Sequence, residues 1–403
     1  MERTAASMER TAAILLAVLV TAPLLAGSAA GAHDQATVDC TFPVSVTDAT
    51  GTNVTVDEQP DRIVVLGPSA AQTVWALGAE ESVVGMPVNR YTAYLDGREG
   101  KTNVVGERGQ PIRETVVATN PDLVLAPNII TTDTVDKLRE ALPDDVGVYR
   151  FRAAGSYDDV ANKTERTGQL VGAFETAAAI AAESRGVASA IDDATDGRER
   201  PIVYYAMGGG WTAGTETFIG KLIERAGGRN LAAAADITGY ASISSEIVAA
   251  EDPDWIVLGE GTPLPTGPAV NDSTAVEEGN VLRVDANFLN QPGPKTRLPL
   301  EAMAGAFHPD AVTDETLENV ETLAPTQCQA ATTATTTTST PTTDEPPSPS
   351  SPTTDEPTSP TTDAATPTTT TATGTTGGSG PGFGVVVALA GLLAAVGLLA
   401  RRT

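Results

Sequence analysis

The side chains that most often do chemistry are scarce here and badly placed for it. The chain has two histidines, His33 and His308. A bare zinc or manganese site needs several imidazole or carboxylate ligands close together, so no metal centre is expected. No nucleophile elbow or phosphate loop occurs; Gly208-Gly209-Gly210-Trp211 is too loose a glycine cluster for either. Without histidine, acid–base work would fall to scattered carboxylates. The sequence therefore predicts a chain that is not an enzyme and carries no cofactor. What remains is recognition and covalent bracing. Cys40 and Cys328 are the only cysteines. In an exported chain an even pair at such positions predicts a disulfide that brackets the folded region. Asn-x-Ser/Thr acceptor motifs begin at Asn53, Asn162 and Asn271 and suit an exposed surface.

Export is read from the two ends. Arg3 and Arg10 give a weakly basic start, and an apolar run covers residues 12–25. Ala30-Gly31-Ala32 then offers a cleavage site, so residues 1–32 read as a signal peptide and not as a retained span. Met-Glu-Arg-Thr-Ala-Ala occurs at Met1 and again at Met8, which makes Met8 a second candidate start. At the other end, Pro381-Gly382-Phe383 precedes an apolar run and then Arg401-Arg402. Residues 384–400 as a helix would be about 26 Å long, close to a hydrocarbon core of about 30 Å. The two arginines fit a cytoplasmic stop. Between the folded part and this tail, residues 331–380 hold no apolar side chain larger than Ala. Such a Thr/Pro-rich segment cannot build a core and reads as an extended stalk.

The formal net charge is −27, with 52 Asp and Glu against 25 Lys and Arg. Nucleic acid is disfavoured as a partner, because phosphate binding needs a basic surface. In molar salt the Debye length is about 3 Å, so an acidic surface repels itself little. The acidity reads as adaptation to brine.

The elements that position the recognition residues alternate in type. Residues 62–66, 83–86, 123–126 and 146–151 read as strands, with helices near 69–78, 111–118 and 132–141. A second set follows, with strands at 202–207, 255–259 and 281–286 and helices at 216–226, 299–307 and 314–323. This alternation predicts two α/β lobes. Between them, Leu170, Phe174, Ala178 and Ala181 keep a helical period over residues 156–191. That predicts one long connecting helix of about 50 Å. The two sets also echo each other. Glu114-Thr-Val-Val-Ala-Thr-Asn-Pro-Asp-Leu-Val-Leu125 matches Glu246-Ile-Val-Ala-Ala-Glu-Asp-Pro-Asp-Trp-Ile-Val257, with Glu, Pro-Asp and strand in one spacing.

In this order and spacing the chain resembles the cobalamin and iron-siderophore class of ABC-importer solute-binding proteins. The residues are Arg62-Ile-Val-Val-Leu-Gly-Pro68-Ser69-Ala-Ala-Gln72, Val84-Gly85, Val105-Gly106, Asn120-Pro121-Asp122-Leu123-Val124 and Gly227-Gly228-Arg229-Asn230. The resemblance covers residues 49–323. It implies two Rossmann-like lobes joined by one long helix, with the ligand in the cleft between them. It implies permease docking through one carboxylate per lobe, which falls on Glu114 and Glu246; the bare alternative is that each only complements its own helix terminus. Ligand contacts fall on loops at the cleft edges: Tyr91 and Tyr94 beside Asn89-Arg90, Arg108 beside Glu107, Trp211-Thr212, Tyr240, and Phe288, Asn290 and Gln291 after Asn287. Aromatic faces would cover a corrin or chelate, and Arg90 or Arg108 would pair with an anionic one. Pro381-Gly382-Phe383 with its helix and arginines resembles the tails that archaeal sortase-like enzymes replace with a lipid.

The organisation expected is a signal peptide (1–32), an N-terminal lobe (38–155), a connecting helix (156–196), a C-terminal lobe (197–328), a stalk (329–380) and an anchor signal (381–403). The expected function is a monomeric receptor on the outer face of the membrane. It would capture a corrinoid or iron chelate for an ABC permease and its ATPase subunits. A surface structural or adhesion protein, or a receptor for haem or another solute, are the alternatives.

Overall fold

The computed structural model describes residues 38–318, residue 320 and residues 328–329. The signal peptide, the stalk and the Pro381-Gly382-Phe383 tail lie outside the described residues. The chain opens with β1 (Val38–Asp39) and an antiparallel hairpin of β2 (Val44–Thr47) and β3 (Asn53–Val56). Strict alternation puts Val44, Val46, Val54 and Val56 inward and their neighbours outward.

The N-terminal lobe is a five-stranded parallel sheet. Its strands are β4 (Ile63–Val65), β5 (Val83–Met86), β6 (Thr102–Asn103), β7 (Leu123–Ala126) and β8 (Gly147–Arg150). Their spatial order is β6-β5-β4-β7-β8. Helices α1 (Pro68–Ala76), α2 (Arg113–Ala118) and α3 (Thr132–Arg139) make crossovers. Both faces are buried: Ile63, Val65, Leu123 and Leu125 join one core, and Val64, Leu66, Val124 and Ala126 join the other. That is why these strands read as unbroken apolar runs.

The chain then passes through α4 (Tyr157–Val171) and α5 (Phe174–Thr195). The second lobe holds β9 (Ile202–Tyr205), β10 (Trp211–Ala213), α6 (Phe218–Arg225), β11 (Arg229–Asn230), β12 (Tyr240–Ser242), α7 (Ser245–Glu251) and β13 (Trp255–Gly259). It continues with α8 (Pro268–Asn271), α9 (Thr274–Glu277), β14 (Val281–Val284), α10 (Ala286–Asn290), α11 (Arg297–Phe307) and α12 (Asp314–Glu318). Its main sheet is parallel with order β11-β9-β13-β14, and β10 pairs antiparallel with β12 as a separate ribbon. Val203, Tyr205 and Val257 face one core, and Tyr204, Ala206, Ile256 and Leu258 the other.

The single long connecting helix expected from the sequence is two helices. Gly172 ends α4 at φ 81°, a left-handed cap that costs glycine nothing. The chain reverses, and α5 runs back along α4. Arg185 on α5 makes two 2.7 Å bonds to the Glu165 carboxylate and a 2.9 Å bond to Asn162 Oδ1 on α4. Small residues permit the close approach, since a Cβ on Gly168 would lie 2.2 Å from that of Ala177. The hairpin spans both lobes. Tyr157 and Val160 pack in the C-terminal core, Leu170, Val171 and Ala177 in the N-terminal core, and Val187 and Ile191 in the C-terminal core again. The periodic pattern continued through Gly172, and only that glycine signalled the break.

The repeat noted in sequence is a structural repeat. Asn120 and Asp252 end α2 and α7 in the left-handed region, at φ 46° and 42°. Asp122 Oδ2 accepts from Arg62 N at 2.9 Å, and Asp254 Oδ2 accepts from Ile202 N at 2.6 Å. Each Pro-Asp therefore turns the chain into a central strand and ties it to the start of the strand beside it. Finally β15 (Cys328–Gln329) pairs parallel with β1, bringing the two ends of the folded region together.

Candidate ligand-binding cleft

In open parallel sheets, ligands bind beyond the carboxyl ends of the strands, where strand order reverses. In the N-terminal lobe that edge is made by the segments after β4, β5 and β7. Gly67 allows the first and third to touch, because a Cβ there would lie 2.5 Å from Pro127 Cγ. Arg150 pins the third segment by donating to Ile130 O at 2.7 Å and Asn128 O at 2.9 Å. This leaves Ile129 44% exposed on a braced loop.

After β5, Asn89 Oδ1 accepts from Tyr91 N at 2.9 Å and opens a short 3-10 turn over Arg90–Thr92. Arg90 lies 4.7 Å from the Tyr91 ring centroid and donates to its hydroxyl at 2.6 Å. Tyr94 follows and meets Phe288 of α10 edge-to-face, with ring centroids 5.3 Å apart. These two rings come from opposite lobes, so they make a contact between the lobes and are not simply open ligand surfaces.

Hydrogen bonds extend that contact. Tyr94 Oη donates to Gln291 Oε1 at 2.9 Å and accepts from Gln72 Nε2 at 3.0 Å. Gln291 Nε2 donates to Tyr91 O at 2.9 Å, and Gln72 Oε1 accepts from Lys295 N at 3.0 Å. The Lys295 ammonium stands 5.2 Å from the Tyr94 ring and 5.0 Å from the Phe288 ring. Burial pushes the Tyr94 hydroxyl up to about 12, with the Gln72 bond opposing it. Lys163 of α4 lies deeper. It donates to Ser69 Oγ at 3.0 Å and to Pro292 O at 2.8 Å, one in each lobe. Its burial pushes the amine down to about 7. A neutral amine still has two hydrogens for these two acceptors. This clasp holds the lobes at one spacing.

On the C-terminal side, Trp211 opens β10 after three glycines with φ of 92°, 60° and 78°. The register sets Trp211 opposite Ser242 and Ala213 opposite Tyr240. Trp211 and Tyr240 thus share one face of the ribbon as diagonal neighbours. The Tyr240 hydroxyl is raised by burial, against a hydrogen bond to Thr217. Asn290 is exposed at the end of α10 and donates to Ala286 O at 2.7 Å. It also bonds the buried Tyr205, whose hydroxyl burial pushes upward. Arg108 lies exposed in the turn at residues 106–109, and no hydrogen bond or ring contact joins it to the other named side chains.

The structure thus brings Tyr91, Tyr94 and Phe288 together through Gln291, and Trp211 together with Tyr240. It leaves Arg108 apart. Sequence reasoning missed Lys163 and Lys295. Lys163 carried a signal: it sits three residues after Val160 on the inward side of α4, an uncommon place for lysine. Glu114 and Glu246 are both exposed in the first turns of α2 and α7. Their carboxyls are held below the usual range, Glu114 by its own backbone N–H and Arg113, Glu246 by its own backbone N–H and Ser244. Among the described residues, no cluster of metal-ligating side chains occurs and no helix is long and apolar enough to cross a membrane.

Two α/β lobes with parallel sheets, a helical hairpin packed in both cores and loops that meet between the lobes at Tyr94 and Phe288 are the architecture of a two-lobed solute-binding protein. The family described as periplasmic binding protein matches residues 63–287, and the PGF-CTERM motif matches residues 380–402. A cobalamin-binding protein of Halobacterium salinarum is 42% identical over 312 residues, covering 73% of this chain and 83% of that one. An uncharacterized ABC transporter substrate-binding lipoprotein, YvrC of Bacillus subtilis, is 27% identical over 317 residues, covering 75% and 99%. Among solved structures, the periplasmic heme-binding protein RhuT from Roseiflexus sp. RS-1 superposes with a TM-score of 0.53 at 26% identity, covering 63% and 99%. The chain belongs to the periplasmic binding protein family. It is an exported solute-binding receptor held at the cell surface by its C-terminus.

Proposed function

We propose that this receptor captures a corrinoid outside the cell and delivers it to an ABC permease driven by cytoplasmic ATPase subunits. The observation that carries the reading is the 42% identity over 312 residues to a cobalamin-binding protein, covering 73% of this chain. The cleft chemistry agrees with it. The half-buried Tyr91, Trp211 and Tyr240 and the exposed Asn290 would supply ring edges, faces and a carboxamide to a large, mostly uncharged macrocycle. A ferric siderophore is the second reading, because Arg90, on the segment after β5 with its guanidinium 4.7 Å from the Tyr91 ring, could pair with an anionic chelate. Haem is less well served: His308, the one described histidine, is buried against Gly227 O at 3.1 Å.

The receptor acts as a monomer and does no catalysis. Glu114 and Glu246 meet arginines of the permease, one per lobe, by charge-assisted hydrogen bonds. Cys40 and Cys328 form a disulfide. Supporting this, Cys40 is not a free thiol, and β1 sets Val38 opposite Cys328. Such a closure would contribute at most about 5–6 kcal/mol in the chain-entropy model. Peptide mapping without reductant checks it, and two separate thiol peptides would refute it. The C-terminal apolar segment is replaced by a lipid after cleavage near Pro381-Gly382-Phe383.

The test of the ligand is calorimetric titration of the exported domain in molar salt with cobalamin, a ferric hydroxamate and haem in turn. Saturable one-to-one binding of cobalamin supports the proposal. Binding of the hydroxamate or haem alone, or of none, rejects it.

A further inference from the structure

The asparagines and hydroxyls of the three Asn-x-Ser/Thr motifs make none of the contacts described in the cleft, and the fold treats them differently. A transferase that reads this motif must reach both the asparagine carboxamide and the hydroxyl two residues on. All three asparagines are exposed. The hydroxyls separate them. Thr164, after Asn162, is 1% exposed and donates to Val160 O at 2.8 Å inside α4. Ser273, after Asn271, is 3% exposed and donates to Val270 O at 2.7 Å. Both are spent on backbone carbonyls that would otherwise be left without that partner. In addition, Lys163 within the first motif is half-buried and bonded to both lobes.

Asn53-Val54-Thr55 is presented as a unit. It lies in β3, whose alternation points Asn53 and Thr55 outward and Val54 inward. Ser45 on the paired strand links the two groups: Asn53 Nδ2 donates to Ser45 Oγ at 2.8 Å, and Thr55 Oγ1 lies 3.0 Å from the same oxygen. Carboxamide and hydroxyl are therefore side by side on an exposed, extended strand of a two-stranded hairpin. Exchange of these exposed bonds for bonds to an enzyme leaves no buried group unsatisfied.

We propose that Asn53 is the N-glycosylated residue of the folded receptor, and that Asn162 and Asn271 are not modified. The donor is a sugar carried on a lipid phosphate. Asn53 Nδ2 bonds to the anomeric carbon, the bond from that carbon to the phosphate oxygen breaks, the lipid phosphate leaves with the electron pair, and Nδ2 gives up one proton. The inference rests on export and not on the identity of the ligand.

Full-length protein extracted from its native membranes is digested, and the three motif-bearing peptides are weighed by mass spectrometry. The expected result is carbohydrate on the Asn53 peptide alone. Asn53→Gln and Thr55→Val should each lose all of it, while Asn162→Gln and Asn271→Gln should keep it. Carbohydrate on Asn162 or Asn271, or a bare Asn53 in the wild-type protein, overturns the proposal. The wild-type map decides the question even if a variant fails to fold.

Discussion

A half-buried lysine has an unusual place at the lobe junction. Lys163 donates to Ser69 Oγ and Pro292 O, and its amine is pushed down to about 7 by burial. An unfolded lysine titrates near 10.4. Between these values the unfolded chain holds the proton and the folded chain does not. Stability should therefore rise with pH from about 7 to about 10, with a slope of at most roughly 1.4 kcal/mol per pH unit. Lys163→Met should remove that rise, which urea midpoints of both proteins at pH 7, 8 and 9 would read. Equal slopes would show that the amine stays charged in its site. The neighbouring Gln291 serves Tyr94 Oη and Tyr91 O at once. Gln291→Leu keeps the volume but strands both groups, so a loss of about 1–3 kcal/mol is expected. An unchanged urea midpoint would mean that the clasp bears no weight.

At the scale of elements, the α4–α5 hairpin is the joint between the lobes. Its closeness depends on Gly168, where any Cβ would collide with Ala177 and the Ala173 carbonyl. Gly168→Val should force the helices apart at a cost of about 1–3 kcal/mol. Thermal unfolding would show a lower midpoint, and ligand titration should show weaker binding if the hairpin sets the cleft aperture. Wild-type stability would imply that the joint tolerates spreading. The strands and most helices were legible because buried parallel strands are apolar throughout. The hairpin was misread because apolar periodicity persists on both sides of Gly172, and a 3.6-residue period carries no record of chain direction. The β10–β12 ribbon was also unread, since each strand is three residues long and its partner is distant in sequence.

For the whole molecule, the matched Pro-Asp turns place Glu114 and Glu246 at equivalent points of two lobes. A rigid joint then fixes the distance between them, which suits a two-point contact. Arg at both positions should abolish uptake in transport assays while leaving ligand affinity unchanged. Uptake that survives the double change would remove these residues from docking. Surface anchoring through the C-terminal motif keeps such a receptor near its permease at high effective concentration.

Export, anchoring, the acidic surface, the two-lobed α/β plan and the internal repeat were determined by the sequence itself. Each is written locally, in composition, period or a short motif, and none depends on which distant residues meet. The tertiary structure alone decided that Tyr94 and Phe288 meet edge-to-face across the lobes, that Lys163 is half-buried and shared between them, and that Arg108 stands apart. It also decided that, of the three Asn-x-Ser/Thr motifs, the one at Asn53 exposes its hydroxyl as well as its asparagine. These outcomes follow from long-range packing, where a side chain's partners lie up to 223 residues away in the chain, and burial there sets both its charge and its accessibility.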